Sequence, residues 1–117
     1  MNGTTWVVLG VFMVLILFKF NIGRRSQDEL TAIRQAVEDG GLLLDVRSPR
    51  EFKAGHLDEA LNIPVGELHG RLEELGSKAR PVVVYCASGA RSRSASQLLR
   101  ESGFHDVHDL GPWRNWK

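Results

Sequence analysis

The sequence contains a single cysteine, Cys86, among its 117 residues. This count excludes a disulfide framework within the chain and a zinc site built from several cysteines. An excess of charge of one sign is also missing, because 15 lysines and arginines are balanced by 14 aspartates and glutamates. Without a basic excess we expect no nucleic-acid partner. The length allows one domain of ordinary size and excludes a multidomain enzyme.

Charge is almost absent from residues 1–22, where Lys19 is the only charged side chain. At roughly 1.5 Å per residue, a helix over residues 4–22 would be about 28 Å long, just enough for a bilayer core. A buried helix of a soluble protein and a cleaved signal peptide are the alternatives. Residues 1–5 carry no basic side chain, and no Ala-x-Ala site follows the apolar run, which disfavours a signal peptide. We therefore predict a transmembrane helix in residues 1–22 and a second domain in residues 23–117.

Basic residues stand at the C-terminal end of this apolar run, namely Lys19, Arg24 and Arg25. Basic residues that flank a membrane span prefer the cytoplasmic side. The pattern predicts a single-pass membrane protein with its N-terminus outside and residues 23–117 in the cytoplasm. The membrane is thus an expected partner, through residues 4–22.

Helix and strand patterns alternate in residues 23–117. Capping-box patterns that begin at Ser26 and Ser48 predict two helix starts. Short continuous apolar runs predict strands that are buried on both faces. The predicted strands are 42–44, 60–63, 81–85 and 107–110, and the later helices are 67–75 and 92–102. The alternation predicts an α/β fold in which helices flank both faces of a parallel sheet.

Cys86 follows the strongest predicted strand and precedes a helix by a few residues. Ligands of open α/β sheets bind at the carboxyl ends of the strands, and a loop that leads into a helix directs several N–H groups at one point. This arrangement favours an anion, including a nucleophilic thiolate. The small residues 87–90 let the backbone curl closely, and Arg91 and Arg93 add positive charge. The alternative is an inert, buried cysteine.

Three groups of motifs resemble the signatures of the rhodanese homology domain. The N-terminal signature is similar to LLDVRS at 43–48, EF at 51–52, GHL at 55–57 and NIP at 62–64. The active-site loop is similar to YCASGARS at 85–92, and the C-terminal signature to SGF at 102–104 with Leu110-Gly111 and Trp116. The resemblance covers about residues 25–117. It departs from the family at Glu59, where a small glycine is usual, and at Gly111-Pro112, where Gly-Gly is usual.

The resemblance implies a thiosulfate-type sulfurtransferase that needs no cofactor and no metal. Cys86 would take the outer sulfur of a small anionic donor, such as thiosulfate, and become a persulfide. A thiol or cyanide acceptor would then remove that sulfur. Arg91 would bind the sulfonate end of thiosulfate. The implied catalytic residues are Cys86 and Arg91, and the implied substrate-binding residues are Ala87, Ser88, Gly89, Ala90 and Ser92.

Two other functions remain as alternatives to a sulfurtransferase. The first is a non-catalytic rhodanese-like module that binds partners at the membrane. The second is a phosphatase of the same fold family, which would have five residues between cysteine and arginine, whereas four separate Cys86 from Arg91. The shorter loop suits a sulfur atom better than a phosphoryl group. Outside the loop, we expect structural roles for Asp45, Arg47 and His56, and surface positions without metal for His105 and His108.

Overall fold

The computed structural model of the protein describes residues 24–117. The predicted membrane span, residues 4–22, lies outside these residues. Among residues 24–117, no helix has the length and apolar character needed to cross a membrane.

Within residues 24–117, four parallel strands form one sheet, in which the second, first, third and fourth strands along the chain are successive neighbours. The strands are β1 (Leu42–Asp45), β2 (Leu61–Asn62), β3 (Val82–Cys86) and β4 (Val107–Pro112). The helices are α1 (Gln27–Glu38), α2 (Pro49–Ala54) and α3 (Ala90–Glu101), and 3-10 segments cover Val65–Leu75 and Trp113–Trp116. Every residue of β3 is buried. The sheet confirms the α/β fold that the alternation of patterns predicts.

Two hydrophobic cores form because side chains alternate across the sheet. On one face, Val82, Val84 and Cys86 belong to the cluster that contains Leu99 of α3 and Leu68 of the first 3-10 segment. On the other face, Val83 and Tyr85 belong to the cluster that contains Leu30 and Ile33 of α1. Cys86 therefore points to the α3 side. Helices on both faces confirm the predicted layers.

Two predicted helices differ from the structure. The predicted helix 67–75 is present as part of the 3-10 segment Val65–Leu75, which begins two residues earlier and is interrupted at Arg71 by a non-helical φ of −131°. The segment contains Gly66 and Gly70, which weaken any α-helical preference. Helix α3 begins at Ala90 instead of residue 92, because Gly89 already acts as its N-cap residue.

The last strand also extends beyond its predicted end at residue 110, to Pro112. A proline lacks the N–H that a central strand needs, but within residues 24–117 β4 lies at the edge of the sheet and pairs with β3 alone. The pairing with β3 shifts between Val84 and Tyr85, so that Tyr85 lies opposite Gly111. This irregularity brings Pro112 level with Cys86.

Candidate active site

The loop between β3 and α3 wraps around the sulfur of Cys86, which is the last residue of β3 and has no exposed surface. Its Sγ accepts hydrogen bonds from two backbone N–H groups, that of Gly89 at 3.0 Å and that of Ser92 at 3.4 Å. Both donors lie at the N-terminal end of α3, where the helix dipole is positive. We call residues 86–92 the sulfur cradle. The sequence predicted this arrangement from the position of Cys86.

The shape of the sulfur cradle depends on Gly89. Its φ of +112° lies where residues with side chains are strained, and this turn directs its N–H back to Cys86. The carbonyl of Gly89 then accepts hydrogen bonds from the Ser92 hydroxyl at 3.1 Å and from the Arg93 N–H at 3.1 Å. The hydroxyl of Ser92 thus stabilises the loop, while its backbone N–H contacts the sulfur.

Arg91 forms a two-point ion pair with Glu51, a residue of α2. Nη1 and Nη2 of Arg91 lie 2.7 Å and 3.0 Å from the two carboxylate oxygens of Glu51. The hydrogen bonds from Arg91, together with those from Ser48, lower the pKa of the Glu51 carboxyl to about 2. Hydrogen bonding to Glu51, and secondarily the negative charge of the Glu51 carboxylate, raises the pKa of Arg91. The charge of Arg91 is therefore shared with a carboxylate.

Glu51 is itself held in place by the start of α2. Ser48 and Glu51 form the capping box that the sequence predicts, with the Glu51 carboxylate accepting from the Ser48 N–H at 3.2 Å. The same carboxylate thus caps α2 and binds Arg91. The sequence predicted only the first of these roles. The order of the elements indicates the second role. Helix α2 follows β1, and the carboxyl ends of β1 and β3 are neighbours in the parallel sheet, so the start of α2 lies near the loop that follows β3.

A second ion pair lies at the end of β1, and this one is buried. Nη2 of Arg47 is 2.7 Å from the Asp45 carboxylate and also donates to the Gly55 carbonyl at 2.7 Å. The guanidinium stacks over the Trp113 ring at 4.3 Å. The hydroxyl of Tyr85 accepts from the Leu57 N–H at 3.1 Å, and burial raises its pKa well above the ordinary value. These contacts place Asp45 and Arg47 in a structural network, as the sequence analysis expected.

The other residues predicted for the site are either more exposed than Cys86 or lie outside the sulfur cradle. Ser88 and Ala90 are exposed, and Ala87 is partly exposed. Arg93 is turned away from the cradle and, with Arg25 and Arg100, lines a groove beside β4. Among residues 24–117, no group of three or more histidine, cysteine and acidic residues is placed to bind a metal. His56 stacks on Phe52 with ring centroids 3.7 Å apart, and its Nδ1 lies 2.8 Å from the Phe52 carbonyl oxygen.

Comparisons with known proteins agree with this geometry. The family profile of the rhodanese-like domain matches residues 26–117. The protein YqhL of Bacillus subtilis, itself uncharacterised, is 31% identical over 98% of this chain and 92% of its own length. Thiosulfate sulfurtransferase GlpE of Coxiella burnetii is 35% identical over 65% of this chain and 71% of its own. The structure of the human single-domain sulfurtransferase TSTD1 has a TM-score of 0.64 at 31% identity, covering 80% of this chain and 93% of that one.

The parallel sheet, the sulfur cradle and the extent of the profile match define the class of protein. The chain belongs to the rhodanese-like domain family. Its relatives include proteins named as sulfurtransferases.

Proposed function

We propose that this protein is a sulfurtransferase that carries a sulfane sulfur on Cys86, from thiosulfate or a similar donor to a thiol or cyanide. The observation that carries the proposal is the pair of backbone N–H groups, from Gly89 and Ser92, that converge on the Cys86 sulfur. Such donors stabilise a negative charge on sulfur at the moment of reaction. The relatives named as thiosulfate sulfurtransferases support the same reaction.

In the first step, the Cys86 thiolate attacks the outer sulfur of thiosulfate. A bond forms between Sγ and that sulfur, the bond between the two sulfur atoms of thiosulfate breaks, and its electron pair leaves with sulfite. Cys86 is left as a persulfide anion. Because Cys86 has no exposed surface, some of the residues around it have to move before the donor reaches Sγ. The exposed Ser88 and Ala90 mark the side from which the donor would approach.

In the second step, a cyanide ion or an acceptor thiolate attacks the terminal sulfur of the persulfide. The new bond gives thiocyanate or an acceptor persulfide, and the electron pair of the broken sulfur–sulfur bond returns to Cys86. The thiolate is thereby regenerated without an external oxidant or reductant. The reaction needs one cysteine and no resolving thiol, in agreement with the single cysteine of the chain.

Steady-state kinetics of the full chain test this function. With thiosulfate and cyanide, we expect thiocyanate formation with double-displacement kinetics, because sulfite leaves before cyanide reacts. Cys86→Ser should abolish the reaction. Ser94→Ala, at an exposed position of α3, is a matched control and should retain it. If the wild-type chain neither forms thiocyanate nor transfers sulfur to a thiol, the proposal is contradicted and a non-catalytic binding module is favoured.

We also propose that residues 4–22 anchor the protein in a membrane, with the rhodanese-like domain in the cytoplasm. The support is the uncharged, apolar sequence from residue 4 to residue 18 and the basic residues that follow it. The full chain expressed in cells should stay in the membrane fraction after a carbonate wash. In intact cells, the domain should be protected from added protease. Release by carbonate would contradict the anchor, and cleavage in intact cells would contradict the orientation.

A further inference from the structure

Two arginines follow the carboxyl ends of strands, and each of them forms an ion pair with a carboxylate. Arg91 binds both carboxylate oxygens of Glu51, and Arg47 binds Asp45. The four side chains together carry no net charge. Arg47 is also buried, with 5% of its side chain exposed, whereas Arg91 and Glu51 are each about one-third exposed. Arg91 is thus the one of these two guanidinium groups that solvent and a donor can reach.

A donor's sulfonate group would compete with Glu51 for Arg91. Thiosulfate carries two negative charges and needs positive charge at its sulfonate end. The edge of the Arg91 guanidinium formed by Nη1 and Nη2 fits an oxyanion well, but Glu51 already occupies it at 2.7 Å and 3.0 Å. The carboxylate also repels a dianion that enters beside it. A donor without a sulfonate group does not need this edge.

We propose that Glu51 is a specificity-determining residue, which makes the site favour alkyl persulfide donors over thiosulfate by keeping Arg91 occupied. This inference rests on the sulfurtransferase activity proposed above. With an alkyl persulfide, the outer sulfur forms a bond to Cys86, the sulfur–sulfur bond of the donor breaks, and an alkyl thiolate leaves with the electron pair. The persulfide places its sulfur at the cradle without occupying Arg91. Residue Glu51 thereby links the capping of α2 to the choice of donor.

The variant Glu51→Gln separates the two roles of this side chain. A glutamine oxygen can still accept from the Ser48 N–H, so the capping box is kept, while the charge that holds Arg91 is removed. We expect kcat/KM for thiosulfate, divided by that for a short alkyl persulfide, to rise by roughly two- to fivefold, the scale of a partly exposed ion pair. The rise should come mainly from a lower KM for thiosulfate. A merely structural role would lower kcat for both donors equally.

Three control variants and one substitute variant accompany Glu51→Gln. Ser48→Ala disturbs the capping box but leaves the Glu51 charge, and it should keep the wild-type donor ratio. Glu73→Gln removes an exposed carboxylate of the first 3-10 segment and should also keep it. Arg91→Gln combined with Glu51→Gln should cancel the gain. If Glu51→Gln does not fold, Glu51→Asp is the second variant, because the shorter side chain loses one of the two contacts with Arg91 and should raise the ratio less.

The outcomes separate this inference from the activity on which it rests. If neither donor transfers sulfur to the wild-type chain, the sulfurtransferase function itself is wrong. If both donors react, but the Glu51→Gln donor ratio is unchanged or lower, the specificity role of Glu51 is wrong and the function stands. The role is equally wrong if Ser48→Ala or Glu73→Gln shifts the ratio as much.

Discussion

Substitution of Gly89 by alanine tests whether the shape of the sulfur cradle is required for sulfur transfer. An added Cβ would lie 3.5 Å from Cδ of Pro112, which is an ordinary contact, so the cost comes from the backbone. Holding a residue with a side chain at φ +112° costs about 1–2 kcal/mol, while the stiffer unfolded chain returns about 0.4–1 kcal/mol. We expect a net loss of roughly 1 kcal/mol in the free energy of unfolding.

The effect of Gly89→Ala on activity should exceed its effect on stability. If the alanine relaxes toward negative φ, the N–H of residue 89 turns away from Sγ, and a hydrogen bond to the charged sulfur is lost. Hydrogen bonds to charged groups are worth about 1.5–3 kcal/mol, so sulfur transfer should slow at least roughly tenfold.

Gly40→Ala is the matched control for this prediction. Gly40 also has a positive φ, +93°, and its Cβ would meet nothing within 4 Å, but it lies at the other end of the sheet, before β1. It should lose similar stability in urea denaturation followed by circular dichroism, and it should keep wild-type sulfur transfer. The reasoning is refuted if Gly89→Ala transfers sulfur within twofold of the wild-type rate, or if Gly40→Ala is equally slow.

Three further predictions concern stability. Asp45→Asn should destabilise the fold by about 3–5 kcal/mol in urea denaturation, because it leaves the buried Arg47 without its charged partner; a loss below about 1 kcal/mol would show that the pair is not structural. Glu59→Gly should stabilise by roughly 0.5 kcal/mol, because Glu59 is held at φ +65°, and a lower melting temperature would contradict this. The pKa of Glu51 is lowered from 4.5 to about 2 in the folded protein, so its ion pair with Arg91 stabilises the fold above about pH 4.5. This stabilisation is lost as the pH falls to about 2. For so exposed a pair the loss should be at most about 1 kcal/mol, and Glu51→Gln should lack it in an acid titration of the unfolding free energy.

Local patterns in the sequence predicted most of the fold and the centre of the site. The apolar run before Cys86 defines a strand that is buried on both faces, and the capping boxes at Ser26 and Ser48 define two helix starts, both with their cap hydrogen bonds in the structure. These features depend on neighbours within a few residues. A helix was predicted over residues 67–75, and the structure has a 3-10 segment, Val65–Leu75, at this position.

Contacts between distant residues could not be read from the sequence in the same way. Glu51 and Arg91 are 40 positions apart, and their pairing depends on which strands are neighbours and on the register between them. The resemblance implied that Arg91 binds the donor, which stays a prediction, and the structure adds that Arg91 is paired with Glu51. Arg93 was expected to add charge at the cradle, but its position on α3 directs it to the groove beside β4.

The most direct test of the central claim locates the transferred sulfur. The full chain is treated with thiosulfate whose outer sulfur is isotopically labelled, and its intact mass and peptide masses are then measured. The account predicts one added labelled sulfur atom per chain, on the peptide that contains Cys86, and its release as labelled thiocyanate when cyanide is added. No added sulfur, or labelled sulfur that cyanide does not remove, would contradict the claim that the sulfur cradle holds a transferable persulfide.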